Sequence, residues 1–145
     1  MTSSPLAPRF AAALIAAVFA MPAALAREPA PAGAEVYIVS PVDGAKVKSP
    51  VSVVFGLKGM GVAPAGIKLE NTGHHHLLID SAAPADLSQP LPANEKTVHF
   101  GKGQTETSVT LAPGKHTLQL VLGDALHVPH DPAVVSRKIT IVVEK

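Results

Sequence analysis

From residue 36 onward the sequence is a succession of short apolar runs, each cut off by Gly, Pro or Asp. No window after residue 26 carries the 3.6-residue repeat of an amphipathic helix. The runs are 36–39, 51–57, 74–80, 96–100, 105–111, 116–122 and 134–143. Turn chemistry separates them: Ser40-Pro41-Val42-Asp43-Gly44 closes the first, Gly101-Lys102-Gly103 the fourth and Ala112-Pro113-Gly114 the fifth. Leu118, Leu120 and Leu122 share one face of the sixth run, and Ile139, Ile141 and Val143 alternate with Lys138, Thr140 and Val142 in the last. Seven short strands in roughly 100 residues predict an all-β fold, an immunoglobulin-like antiparallel β-sandwich.

The start of the chain reads differently. Arg9 supplies a positive charge, 10–20 is apolar, and Ala24-Leu25-Ala26 is a small-residue cleavage pattern. Residues 1–26 are therefore expected to be a signal peptide, 27–34 a disordered Pro/Ala leader, and 35–145 a single β-sandwich domain. Removal of the signal would leave no membrane span and a periplasmic protein. Without cysteine there are no disulfides and no thiolate ligands or nucleophiles. Beyond residue 26 the chain holds 11 basic and 11 acidic residues, and this balance, with few aromatics, supports no nucleic-acid partner.

Histidine is what stands out. All seven histidines fall between 74 and 130. In Gly73-His74-His75-His76-Leu77-Leu78-Ile79-Asp80, strand alternation puts His74 and His76 on one face and His75 on the other with Leu77 and Ile79. In the usual sandwich order the third strand pairs with the sixth and the sixth with the seventh, and the loops at one end cluster. That order carries His99, at the end of the fourth strand, and His127 and His130, in the proline-stiffened 123–132 connection, towards His74 and His76. His74, His76, His99, His127 and His130 are the candidate metal ligands. His116, opening the sixth strand, belongs at the far end, and His75 suits a semi-buried role as well as ligation. Asp124 and Asp131 are candidates to receive the second ring N–H of a bound histidine. Imidazoles without thiolate suit a transition metal such as Cu or Zn. Met60, on a long Gly/Pro-rich connection, would favour copper if it reached the same end. Binding is expected to weaken as pH falls through roughly 6.5, where free imidazole takes its proton.

Catalytic signatures are missing. No Gly-x-Ser-x-Gly, His-Glu-x-x-His or Ser/Lys arrangement occurs, and Phe100-Gly101-Lys102-Gly103-Gln104-Thr105 lacks the spacing of a phosphate loop. The first expectation is a non-enzymatic metal-binding protein. Two others stay open: an immunoglobulin-like interaction or envelope-structure module with structural histidines, and an enzyme with an open metal site.

Gly73-His74-His75-His76-Leu77-Leu78-Ile79-Asp80, His99-Phe100-Gly101-Lys102-Gly103-Gln104-Thr105-Glu106 and Pro113-Gly114-Lys115-His116-Thr117-Leu118, running on to Gly123-Asp124 and His127-Val128-Pro129-His130, together resemble a family of exported bacterial proteins, the domain-of-unknown-function family 4399. The likeness spans about 70–143. Where that family has Pro-Pro-Val, this chain has Pro132-Ala133-Val134. The resemblance implies an exported domain with these histidine motifs and carries no activity with it.

Overall fold

The alternating runs become strands in the computed structural model, which describes residues 26–145; the expected signal peptide falls, but for Ala26, outside the described residues. Among the described residues every regular element is a strand: β1 (Glu35–Ser40), β2 (Lys46–Lys48), β3 (Val51–Lys58), β4 (Gly61–Val62), β5 (Thr72–Ile79), β6 (Thr97–His99), β7 (Glu106–Val109), β8 (Gly114–Gly123) and β9 (Ile139–Glu144). No helix among them is long and apolar enough to cross a membrane.

Two sheets form, one in the order β1-β3-β7 and one in the order β2-β9-β8-β5-β4, with β6 also on β5. The β5–β8 and β8–β9 pairings are antiparallel and follow the expected order. The inner faces of the two sheets close on one core. Val53 and Phe55 come from β3, Leu77 from β5, Leu118, Leu120 and Leu122 from β8, and Ile141 from β9. The β8 leucines are fully buried, as their period of two requires.

Three features depart from expectation. The short strands β2 and β4 pair parallel to β9 and β5, and two or three residues are too few to show periodicity. The usual order would place the fourth strand in the first sheet, yet β6 joins β5 in the second, with His76 opposite His99 and Leu77 opposite Val98. That register puts Val98 against the core and His99 on the outer face beside His76.

Residues 27–34 are the third departure. They are held in place: Pro29 bridges Asp131 in parallel, Ala30 N–H donates to Asp131 O (3.0 Å) and Asp131 N–H to Glu28 O (2.9 Å). Arg27 Nε donates to Pro129 O at 2.9 Å, its Nη2 to His130 O, and the guanidinium lies 3.5 Å from the Asp131 carboxylate. Proline lacks an N–H, but this bridge needs the donor only at Ala30, so a Pro-rich strap can still pair.

The outer face of the second sheet is also covered. Leu91, from the 81–94 connection, packs on Leu78 and Val121 together with Ala83 and Val135. This cover makes the outward side of β5 an interior.

Candidate metal centre

Alternation along β5 turns His74 and His76 outward beneath that cover and His75 inward, where its ring lies 5.1 Å from that of Phe55. Pairing sets the neighbours, with His74 opposite Gly123 and His76 opposite both Val121 and His99. The fourth ring comes from the turn after β8. Asp124 Oδ1 accepts N–H groups from Leu126 (2.7 Å) and Val128 (2.9 Å), and Asp124 O accepts from His127 N–H at 3.0 Å. Closing the turn this tightly puts His127 at φ 69°, a left-handed conformation unusual for a residue with a Cβ. Leu91 N–H donates to His127 O at 2.9 Å and ties the turn to the covering loop.

The result is a group of four imidazoles. His74, His76, His99 and His127 each present one ring nitrogen, and all four nitrogens lie within 4.8 Å of one another. Ring centroids range from 4.7 Å for His99–His127 to 5.9 Å for His76–His127. His74 Nε2 and His127 Nδ1 are 3.1 Å apart. Four nitrogens at the usual Zn–N length in a tetrahedron would stand about 3.3 Å apart. One edge is already that short.

Hydrogen bonding makes the same case. His74 Nδ1, both nitrogens of His76 and His99 Nε2 are buried with no partner. A buried polar atom without a partner costs about 1–3 kcal/mol. A group of four rings with this many unmet nitrogens is therefore a poor structural network and a suitable ligand set. Burial first, and then the neighbouring rings, push His74 down to about 4 and His76 down to about 3. Burial, then His127, also lowers His99. Neutral imidazole is the form that donates to metal. His74 and His76 keep it well below the pH of roughly 6.5 expected from a free ring. A four-imidazole group of this kind can hold a metal ion.

Glycines make room for the rings, and sequence reading passed over them as turn residues. A Cβ at Gly101 would collide with the His99 ring, reaching Nε2 at 2.6 Å. A Cβ at Gly123 would meet His76 Cε1 at 2.8 Å and His127 Cα at 3.3 Å. Gly123→Ala is expected to displace the His76 ring and press on the His127 main chain while removing no ligand, lowering metal affinity at least about tenfold. Isothermal titration of the variant, with circular dichroism to confirm the fold, checks it; unchanged affinity would mean that the rings have slack the packing denies them.

The remaining sequence candidates lie elsewhere. His130 is not part of the group: its Nε2 donates to Thr72 O at 3.1 Å. It sits three residues beyond His127, past the left-handed turn residue, on a segment whose Pro129 pairs with Gly123. A Cβ on Gly73, which shares the inward face with His75, would touch His130 Cε1 at 3.0 Å. Asp124 shapes the turn and Asp131 meets Arg27, so neither carboxylate receives a ring N–H of the group. Met60 packs against the apolar core. His75 is fully buried, and burial lowers its pKa despite the opposing Gln104 main chain.

His116 stands at the other end of β8, Nδ1 on Asp80 Oδ2 (2.7 Å) and Nε2 on Ala112 O (2.8 Å). Both partners accept, so the imidazolium form, which donates from both nitrogens, is favoured. The Asp80 hydrogen bond, then Ala112, raises its pKa. This contribution is fully present below about 6.5 and is lost as pH rises through the raised value. Because the pair is partly exposed, the effect should stay under about 1 kcal/mol. His116→Ala should cost that much at pH 6 and almost nothing at pH 9 in urea unfolding; an equal cost at both would deny the charge.

A family model described as Domain of unknown function (DUF4399) matches residues 53–144, a span that takes in all four histidines of the group. No curated protein and no solved structure matches the chain.

Proposed function

The chain belongs to the family described as Domain of unknown function (DUF4399), and we propose that this protein is an exported, non-enzymatic metal-binding protein that holds one Cu or Zn ion through His74, His76, His99 and His127. The observation that carries the reading is the convergence of four ring nitrogens within 4.8 Å, on rings that hold several buried nitrogens with no partner. Imidazole donors without thiolate or carboxylate suit Cu²⁺ and Zn²⁺ over Ca²⁺ and Mg²⁺. Four protein ligands fill a tetrahedral shell, and a filled shell offers no position to a substrate, which favours binding over catalysis. His74 and His76 sit on a central strand at the bottom, whereas His99 and His127 are only half-buried and form the side an ion would reach first.

The order β1-β3-β7 against β6-β5-β8-β9, around one core, favours an immunoglobulin-like sandwich. The Ala24-Leu25-Ala26 pattern favours export to the periplasm with a mature start at Arg27.

The test is elemental analysis of protein purified from the periplasmic fraction without affinity tag or chelator, together with its intact mass. About one Cu or Zn per chain is expected. Metal-free protein that binds neither ion better than about millimolar, roughly −4 kcal/mol, would defeat the proposal and return the histidines to a structural role.

A further inference from the structure

Six large apolar side chains stand exposed among the described residues, and three of them, Ile67, Leu69 and Leu126, surround one pocket. It lies between the 67–72 segment and the 124–126 turn and has a volume of about 140 Å³. Apolar side chains gathered around a concavity mark a binding surface in a way that scattered ones do not. A dry cavity of about 150 Å³ holds benzene, so this one has room for an apolar body of about six carbons.

The polar lining selects the charge of the guest. Lys68 is already matched, its Nζ lying 2.8 Å from Glu28 Oε1. Glu70 and Asp124 add two further carboxylates, and neither is in an ion pair among the described residues. His130, which also lines the pocket, is 2% exposed. Its Nε2 donates to Thr72 O, and its Nδ1 is buried without a partner in the protein. Apolar walls and an excess of carboxylate over free cation are complementary to an organic cation. A carboxylate guest would meet three like charges and one cation that is already paired.

We infer that this pocket binds a small organic cation, a primary amine carried on an apolar body of about six carbons. The site is separate from the four-histidine group, and its occupant needs no metal. Ala125 and Leu126 form part of its wall, and His127 follows them in the chain.

The experiment is a titration of benzylamine, benzyl alcohol and phenylacetate into the metal-free protein in chelator, followed by amide chemical shifts. Working without metal keeps a failure here distinct from a failure of the metal reading. Benzylamine should shift Leu69, Thr72 and Leu126 saturably, with a Kd of about 1 mM. Benzyl alcohol should bind about tenfold more weakly, and phenylacetate not at all. Leu126→Ser and Glu70→Gln, both on exposed side chains that the core does not use, should each weaken benzylamine several-fold and leave shifts elsewhere unchanged. Phenylacetate binding as well as benzylamine, shifts indifferent to both substitutions, or no saturable shift up to about 50 mM would each overturn the inference.

Discussion

His76→Ala is expected to weaken Cu²⁺ or Zn²⁺ binding at least about a hundredfold, close to 2.7 kcal/mol. Loss of a group that merely orients a ligand costs 10–100-fold, and His76 would be a ligand itself. Its ring is central to the group: it sits opposite His99 in the β5–β6 register, and its centroid lies 4.8 Å from that of His74. His74→Ala, His99→Ala and His127→Ala should act at the same site and cost comparable affinity. His116→Ala should leave binding untouched, because its ring is bound to Asp80 and Ala112 at the opposite end of β8. His130→Ala is the discriminating variant. With its Nε2 on Thr72 O and its ring on the inward side, it should change affinity by no more than a few-fold. Titration calorimetry of the metal-free variants decides between these outcomes. A His130→Ala loss as large as that of His76→Ala would show that the turn carrying His127 rearranges on binding. Folding should survive these substitutions, since removing a buried ring nitrogen that has no partner also removes its desolvation cost.

Acid is expected to destabilise the metal-free protein over a window set by two of these rings. In the unfolded chain His74 and His76 take up protons below about 6.5. In the folded protein, burial and then neighbouring rings hold His74 neutral down to about 4 and His76 down to about 3. Between those limits the unfolded state binds more protons, so stability falls as pH falls. At about 1.4 kcal/mol per pH unit, His74 alone accounts for roughly 3 kcal/mol, a large share of the 5–15 kcal/mol that usually separates native from unfolded. His76 acts in the same direction, though two adjacent rings titrate together and their contributions do not add simply. The His116–Asp80 pair has the opposite sign and makes its contribution on the acid side. Urea unfolding in chelator at pH 7, 5.5 and 4.5 should show the decline, and the His74→Ala/His76→Ala double variant should show a much flatter profile. A wild-type profile that stays level from pH 7 to 4.5 would contradict the burial of these rings. Added metal should move the acid transition to lower pH, because only the folded state holds the site together.

Much of this centre was readable along β5 and β8. Side-chain alternation is a property of adjacent residues, so it separated His74 and His76 from His75 before any tertiary contact was known. It also assigned Leu118, Leu120 and Leu122 to the core. The position of His116 at the start of β8 followed from chain order alone. His99 was drawn towards the group for a reason that proved incomplete. It arrives because β6 hydrogen-bonds to β5 in the second sheet, and three residues carry too little pattern to announce which sheet they will join.

Other parts had no local signature. Gly101 and Gly123 look like ordinary turn and strand-end glycines, and only the rings packed against them reveal why a Cβ is excluded. The Pro/Ala composition of 27–34 suggested a loose leader, yet two main-chain bonds with Asp131 and the Arg27 side chain fasten its start to 129–131. His127 and His130 were expected to act as a pair, but the left-handed turn at His127 and the bond from His130 Nε2 to Thr72 O part them. The sequence by itself determined the longer strands, the two faces of β5 and the unusual concentration of imidazole, since these depend on neighbours one or two residues apart. Tertiary structure alone decided that the outward face of β5 would be roofed by Leu91 and the 124–128 turn, and which four rings would meet beneath that roof. Both depend on contacts between residues tens of positions apart, and it is desolvation under that cover that turns neighbouring histidines into neutral donors.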